Sequence, residues 1–169
     1  MKNIFLTGSK GSGKTSVGQV LSEWLDLQFV DLDDVVEREA GSSRADILVA
    51  QGQRALRGQE SQALARAAAE QGLVVATGAE SVLDVANRAA MRGAGFIVNL
   101  AASAAAIQER LAGDSERQFP AGGPSLEQIQ ETLLALDACY ADADLRIDTT
   151  GKTVHAVADE IINTLKGRW

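Results

Sequence analysis

The sequence predicts an α/β fold of three layers, in which helices cover both faces of a five-stranded parallel sheet. Short apolar runs alternate with helical patterns along the whole chain, and this alternation is typical of parallel sheets. A glycine-rich loop lies between the first apolar run and the first helical pattern, where a nucleotide-binding domain of this class would carry it. The 169 residues suit one domain with a single core, so we expect one domain over 1–169.

The apolar runs predict five strands, at 4–6, 28–30, 73–76, 96–100 and 145–147. Helical patterns fill the intervals, at about 14–25, 33–40, 44–50, 53–70, 81–91, 103–111, 125–141 and 153–166. The seventh helix opens with a capping box, because Ser125 is followed three residues later by Gln128.

The segment from about 112 to 124 differs in kind, because it has no periodicity and holds both prolines of the chain. Loops of about a dozen residues in a compact domain are usually functional or disordered. We predict a mobile lid here, and an ordinary surface loop is the alternative.

Composition excludes several classes of function. The net charge of −7 disfavours nucleic acid as a partner, since binding to its phosphate backbone needs a basic face. No apolar run approaches the ~18 residues of a membrane helix, and the chain start is too short for a signal peptide. The single cysteine, Cys139, allows no intrachain disulfide. We therefore expect a cytoplasmic monomer that binds a small molecule, with no nucleic acid and no membrane partner.

Residues 8–15 read GSKGSGKT and match the phosphate-binding pattern G-x-x-x-x-G-K-[ST] without a mismatch. Its glycines let successive backbone N–H groups point at phosphate oxygens, and the helix that follows adds its positive dipole end. We expect Lys14 to reach the β- and γ-phosphates of ATP and the Thr15 hydroxyl to bind Mg²⁺. The predicted nucleotide-binding residues of this loop are Gly8, Gly11, Ser12, Gly13, Lys14, Thr15 and Ser16.

A run of acidic residues, DLDD at 31–34, follows the second predicted strand. Ligands of open α/β sheets bind beyond the carboxyl ends of the strands, which places these carboxylates beside the phosphate loop. A carboxylate there can hold the metal or take a proton from an attacking hydroxyl. The alternative is structural, with Asp33 or Asp34 capping the next helix.

Taken in order, these motifs resemble the shikimate kinase family. A phosphate loop near the amino terminus is followed by a strand that ends in D-x-D, here FVDLD at 29–33. A segment of the form A-D-I…G-x-x-x-F-R-x-x-E follows, here ADI at 45–47 and then GQRALRGQE at 52–60. The family's strand running into A-T-G-G-G is matched by VVATGAE at 74–80, and its closing tyrosine and strand by Tyr140 and IDT at 147–149. The resemblance covers nearly the whole chain.

The resemblance implies a P-loop kinase that transfers phosphate from Mg-ATP to a hydroxyl group of shikimate. It implies that Asp31 organises the Mg²⁺ shell, that Asp33 holds substrate hydroxyls and acts as base, and that Arg57 binds the substrate carboxylate. Glu60, three residues after Arg57, is a possible helical partner for that arginine. The resemblance also implies that Gly78 and Ala79 lie beside the substrate and that Arg110 lies near the adenine. Arg117, in the lid, would close over the transferred phosphate. The implied catalytic residues are Lys14, Asp33 and Arg117.

The sequence departs from the family at the acceptor side. The triple glycine appears as Gly78, Ala79 and Glu80, which adds side chains and a negative charge near the expected carboxylate. The family arginine four residues before the tyrosine is Leu136 here, and losing such a contact typically costs about 10²-fold in affinity. Arg117 is followed by Gln118 rather than by the family's proline.

Because these changes spare the nucleotide side, an altered acceptor is an alternative: a polyol without a carboxylate, or one with an amine that Glu80 could pair. A non-catalytic nucleotide-binding protein is a second alternative, since it would keep the fold and the ATP site. An ATPase that drives a conformational change is disfavoured, because neither strand 73–76 nor strand 96–100 ends in an acidic residue of the Walker-B type.

Overall fold

The computed structural model describes residues 2–113 and 123–168. Five strands form its sheet: β1 (Asn3–Thr7), β2 (Gln28–Asp31), β3 (Leu73–Ala76), β4 (Gly95–Ala101) and β5 (Leu145–Asp148). They pair in the order β2-β3-β1-β4-β5, and every pairing is parallel. The predicted five-stranded parallel sheet is confirmed.

Helices occupy the intervals between the strands. Their bounds are α1 (Lys14–Leu25), α2 (Leu32–Ala40), α3 (Arg44–Gln51), α4 (Gln53–Ala69), α5 (Val85–Ala94), α6 (Ala104–Ala112), α7 (Leu126–Tyr140) and α8 (Val154–Leu165). Seven of them match the sequence prediction to within one residue at each end. The predicted capping box is present at α7, where the Ser125 hydroxyl accepts from the Gln128 N–H and the Gln128 side chain accepts from the Ser125 N–H.

The prediction for α5 is wrong at its start, and the helix ends at Ala94 rather than at about 91. Residues Ser81–Leu83 form a short 3₁₀ turn, and the α-helix begins only at Val85. The reason is local: Asp84 has extended backbone, and its carboxylate accepts the Ala86 N–H at 2.8 Å, so that Asp84 is the N-cap.

Apolar side chains of the strands alternate between two cores, one on each face of the sheet. Phe5 faces a core built with α2, α3, α4, α5 and α7, whereas Ile4 and Leu6 face a core built with α1 and α8. A smaller cluster joins α6 to α7 through Ile107, Leu111 and Ile129. This arrangement confirms the predicted three-layer α/β architecture.

Most of the predicted lid, and with it Arg117, lies outside the described residues; of 112–124 the structure describes only 112–113 and 123–124. Within the described ranges, none of the helices combines the length and the apolar character needed to cross a membrane.

Candidate active site

The candidate site lies at the edge of the sheet where the carboxyl ends of the parallel strands meet. β1 ends in the phosphate loop, β2 ends at Asp31, and β3 leads into residues 77–80. β5 leads into Thr149 at the same edge. The residues singled out in the sequence therefore converge because parallel strands all end on one side.

The phosphate loop connects β1 to α1 and curls around the Lys14 side chain. The Lys14 ammonium donates to the Gly8 carbonyl at 2.7 Å and to the Ser9 carbonyl at 2.9 Å. Gly8 has a φ of 146°, and a Cβ atom there would come within 2.5 Å of the Leu100 carbonyl oxygen, so only glycine fits. The loop borders a cavity of about 360 Å³, whose lining includes Gly11, Ser12, Gly13, Lys14, Thr15 and Ser16.

The donors of this cavity suit a nucleotide phosphate. The Ser12 hydroxyl is buried and has no hydrogen-bond partner among the described residues, so a polar ligand is needed to satisfy it. The amino-terminal N–H groups of α1 open towards the same space. Gly8, at the base of the loop, supports the curl without lining the cavity.

Asp31 serves two elements at once. One of its carboxylate oxygens accepts the Thr15 hydroxyl at 2.8 Å, and the other accepts the Asp33 N–H at 3.1 Å and so caps α2. The structural alternative for Asp33 and Asp34 is therefore wrong, because the capping residue is Asp31. Thr15 and Asp31, the two predicted metal residues, lie together at the wall of the nucleotide cavity.

Arg110 joins the phosphate loop to the segment that follows β5. Its guanidinium donates to the Gly11 carbonyl at 3.1 Å and to the hydroxyl and carbonyl oxygens of Thr149 at 3.0 Å each. Arg110 also lines the nucleotide cavity, and its place near the adenine stays a prediction.

A second cavity of about 450 Å³ adjoins the first. We call it the acceptor cavity; it lies among α3, α4, α6 and α7, and its lining includes Arg57, Glu60, Glu80 and Leu136. The two cavities share Lys10, Ala79 and Leu111, so a phosphate in one can face a hydroxyl group in the other.

Asp33 lies beside the acceptor cavity, because Arg44, which lines that cavity, contacts its carboxylate. It lines the nucleotide cavity, and its Oδ1 is buried without a hydrogen-bond partner in the described part of the chain. A Cβ atom on Gly78 would come 3.4 Å from that oxygen, so the glycine leaves room beside it. The geometry leaves Asp33 Oδ1 available to a ligand hydroxyl.

Arg44 is a site residue that the sequence analysis missed. Its guanidinium donates to Asp33 Oδ2 at 3.4 Å and to Glu60 Oε1, and it lines the acceptor cavity. Burial lowers the pKa of Arg44, but Asp33, Glu60 and Glu37 outweigh it, and the net pKa is raised. An arginine in the first turn of a helix opposes the helix dipole, and this is the signal that could have revealed it.

The structure pairs the charges of α4 differently from the sequence expectation. Glu60, proposed as the partner of Arg57, pairs with Arg44 instead. Arg57 donates to Glu80 Oε2 at 2.9 Å. The extra carboxylate at position 80 is therefore already neutralised by an arginine of the same cavity.

Tyr140 and Leu136 complete the wall formed by α7. The Tyr140 hydroxyl donates to the Ala79 carbonyl at 2.8 Å, and burial, followed by the charges of Glu80 and Cys139, raises the pKa of Tyr140. Leu136 is buried and presents an apolar surface to the acceptor cavity. At the position where the family has a second arginine, the α7 wall is therefore apolar.

Comparison with known proteins identifies the family. The family model described as shikimate kinase matches residues 10–166. The chain belongs to the shikimate kinase family. Family membership makes it a phosphotransferase that acts on a hydroxyl group.

Individual shikimate kinases agree with this assignment along most of their length. The shikimate kinase of Geobacter sulfurreducens is 41% identical over 95% of this chain and 88% of its own, and that of Symbiobacterium thermophilum is 38% identical over 98% and 97%. A solved structure of Acinetobacter baumannii shikimate kinase in complex with shikimate superposes with a TM-score of 0.91 at 27% identity, covering 99% of this chain and 94% of that one. The predicted P-loop kinase fold is thus confirmed by a full-length structural match.

Proposed function

We propose that this protein is a shikimate kinase, which transfers the γ-phosphoryl group of Mg-ATP to a hydroxyl group of shikimate. The observation that carries the proposal is the meeting of two cavities at Lys10 and Ala79, one bordered by a complete phosphate loop and by Asp33 and the other by Arg57. The related Acinetobacter baumannii enzyme, whose structure contains shikimate, supports the choice of acceptor.

On the nucleotide side, bound Mg-ATP supplies the phosphoryl group. Lys14 and the N–H groups of the loop hold the phosphates and offset their charge. The Thr15 hydroxyl and the Asp31 carboxylate, joined by a 2.8 Å hydrogen bond, would hold the metal, which offsets the charge of the phosphates when bound. Arg110 positions the base end of the nucleotide by keeping the phosphate loop against Thr149.

On the acceptor side, Asp33 Oδ1 accepts the hydroxyl proton, and Arg44 holds the Asp33 carboxylate in place through its other oxygen. Arg57 binds the acceptor carboxylate, and Gly78 and Ala79 leave room for the ring beside the backbone. Arg117, carried by the lid over about 112–124, closes over the transferred phosphate and stabilises its charge.

A second candidate is the phosphorylation of a small polyol that lacks a carboxylate. The observation in its favour is that Leu136 makes the α7 wall apolar where a second arginine would bind a carboxylate. For either acceptor we propose a single-domain cytoplasmic monomer that acts without a nucleic acid or membrane partner.

The test is ADP release by purified protein with Mg-ATP, measured with and without shikimate. We expect strong stimulation by shikimate, and Lys14→Met should reduce the stimulated rate by about 10²–10³-fold because phosphate charge is no longer offset. Lys166→Met, at the end of α8 and away from both cavities, is the matched control and should keep the rate. ATP binding without any shikimate-stimulated release would contradict the proposal, and a carboxylate-free polyol would then be tried as acceptor.

A further inference from the structure

The arginine proposed to bind the acceptor carboxylate already holds a carboxylate of the protein. Arg57, on α4, donates to Glu80 Oε2 at 2.9 Å, and Glu80 lies 23 residues further along the chain. Both side chains line the acceptor cavity, and both are 50% exposed. The pair is therefore accessible to a ligand that enters the cavity.

The backbone that carries Glu80 is held by its surroundings. The Glu80 carbonyl accepts the Leu83 N–H at 3.0 Å, which closes the 3₁₀ turn. The preceding carbonyl, that of Ala79, accepts the buried Tyr140 hydroxyl at 2.8 Å. The Glu80 carboxylate consequently reaches Arg57 from an anchored position and not from a loose loop.

We propose that Glu80 is a specificity-determining residue, which competes with the carboxylate of the acceptor for the guanidinium group of Arg57. The inference rests on the proposed role of Arg57 in carboxylate binding. A guanidinium group binds a carboxylate most strongly through two parallel hydrogen bonds, and a carboxylate that already holds one of its N–H groups repels a second carboxylate. Glu80 therefore weakens binding of acid acceptors and leaves binding of uncharged acceptors unaffected.

The other arginine of the acceptor cavity does not relieve this competition. Arg44 is engaged by Asp33 and by Glu60, which is itself buried. On the α7 wall, position 136 is a leucine. Among the described residues, Arg44 and Arg57 are the two arginines that line the cavity. Arg57 is thus the one whose exposed ion pair can be broken at a small cost in free energy.

The test compares wild type with Glu80→Gln, which keeps the shape of the side chain and removes its charge, on shikimate and on shikimate methyl ester. For Glu80→Gln we expect the KM for shikimate to fall about two- to fivefold, the range that an exposed ion pair is worth. The KM for the ester and the KM for ATP should stay within error of wild type, because neither ligand needs the freed Arg57.

Glu39→Gln is the matched control. Glu39, on α2, pairs at 2.5 Å with Arg66 of α4, the helix that also carries Arg57, and both side chains of this pair are about half exposed. Glu39 lines neither cavity. It should leave every KM unchanged. If wild type phosphorylates shikimate and Glu80→Gln leaves its KM unchanged or raises it, the inference is overturned and the proposed function stands. If neither protein releases ADP in response to shikimate although ATP binds, the proposed function fails and the inference falls with it.

Discussion

The hydroxyl of Thr15 donates a 2.8 Å hydrogen bond to the carboxylate of Asp31, and this contact ties the first turn of α1 to the end of β2. The second oxygen of Asp31 caps α2 through the Asp33 N–H. One carboxylate thus sets the relative position of the phosphate loop and of Asp33, the two groups between which phosphoryl transfer is proposed to take place.

The double role of Asp31 can be separated by two substitutions. Asp31→Asn keeps an oxygen that can cap α2 but removes the charge, so we expect the Mg²⁺ concentration for half-maximal ADP release to rise about tenfold while the melting temperature changes little. Asp31→Ala removes the cap as well and should also lower the free energy of unfolding by about 1 kcal/mol. Titration of Mg²⁺ in the activity assay and thermal unfolding measure the two effects. An unchanged Mg²⁺ requirement in both variants would refute the metal role of Asp31.

Arg44 neutralises Glu60 inside the protein. Glu60 is 7% exposed, so Arg44→Met should leave a buried carboxylate without its partner and lower the free energy of unfolding by about 2–3 kcal/mol. Urea unfolding followed by circular dichroism measures this loss. The double variant Arg44→Met with Glu60→Gln should recover most of it, because the unpaired charge is gone.

Arg66→Met provides the control for Arg44. Arg66 pairs with Glu39 on the surface, where both side chains are about half exposed, and its loss should cost no more than about 1 kcal/mol. Equal losses for Arg44→Met and Arg66→Met would show that the Arg44 pair is as weak as a surface ion pair.

Two glycines in helix interiors should respond to alanine in opposite directions. A Cβ atom on Gly18 of α1 would lie 2.4 Å from a ring carbon of Phe29, so Gly18→Ala should overpack the core and cost about 1–3 kcal/mol. A Cβ atom on Gly58 of α4 meets no described atom within 4 Å, and Gly58→Ala should stabilise the protein by about 0.5–1 kcal/mol through helix propensity. The melting temperatures of the two variants are compared with that of wild type. A rise for Gly18→Ala would contradict the packing of Phe29 against α1, and a fall for Gly58→Ala would contradict the open space beside Gly58.

Asp148 should make stability depend on acid pH. Its carboxylate accepts the Thr150 N–H at 2.9 Å, and this bond, with the Thr150 hydroxyl, lowers the pKa of Asp148 below its ordinary value of 3.8. A carboxyl whose pKa is lower in the folded state stabilises that state above the unfolded pKa and loses the effect as the pH falls through the folded pKa. The melting temperature of wild type should exceed that of Asp148→Asn at neutral pH, and the difference should shrink towards about pH 3. A difference that grows on acidification would refute the lowered pKa.

Elements with local signals were predictable from the sequence. The strands and seven helices follow from apolar periodicity and from end signals within a few residues, such as Ser125 with Gln128. The α5 start was misplaced because Ser81–Leu83 continue an apolar pattern, and only the Asp84 cap ends it. The phosphate loop was predictable because its chemistry needs a fixed order of residue types.

The charge pairs of the acceptor cavity were not predictable in this way. Spacing along α4 suggested that Glu60 pairs with Arg57, as neighbours on one helix do. In the structure Glu60 pairs with Arg44 of α3, and Arg57 pairs with Glu80 beyond β3.

Local signals in the sequence specify the strands, the helices and the phosphate loop of this shikimate kinase family member, because hydrophobic periodicity and backbone conformation act between residues that are close along the chain. Tertiary packing sets which carboxylate pairs with which arginine, because the pairing depends on how α3, α4 and the segment after β3 pack around the acceptor cavity. Side chains 16 and 23 residues apart, as in the Arg44–Glu60 and Arg57–Glu80 pairs, become neighbours only through that packing.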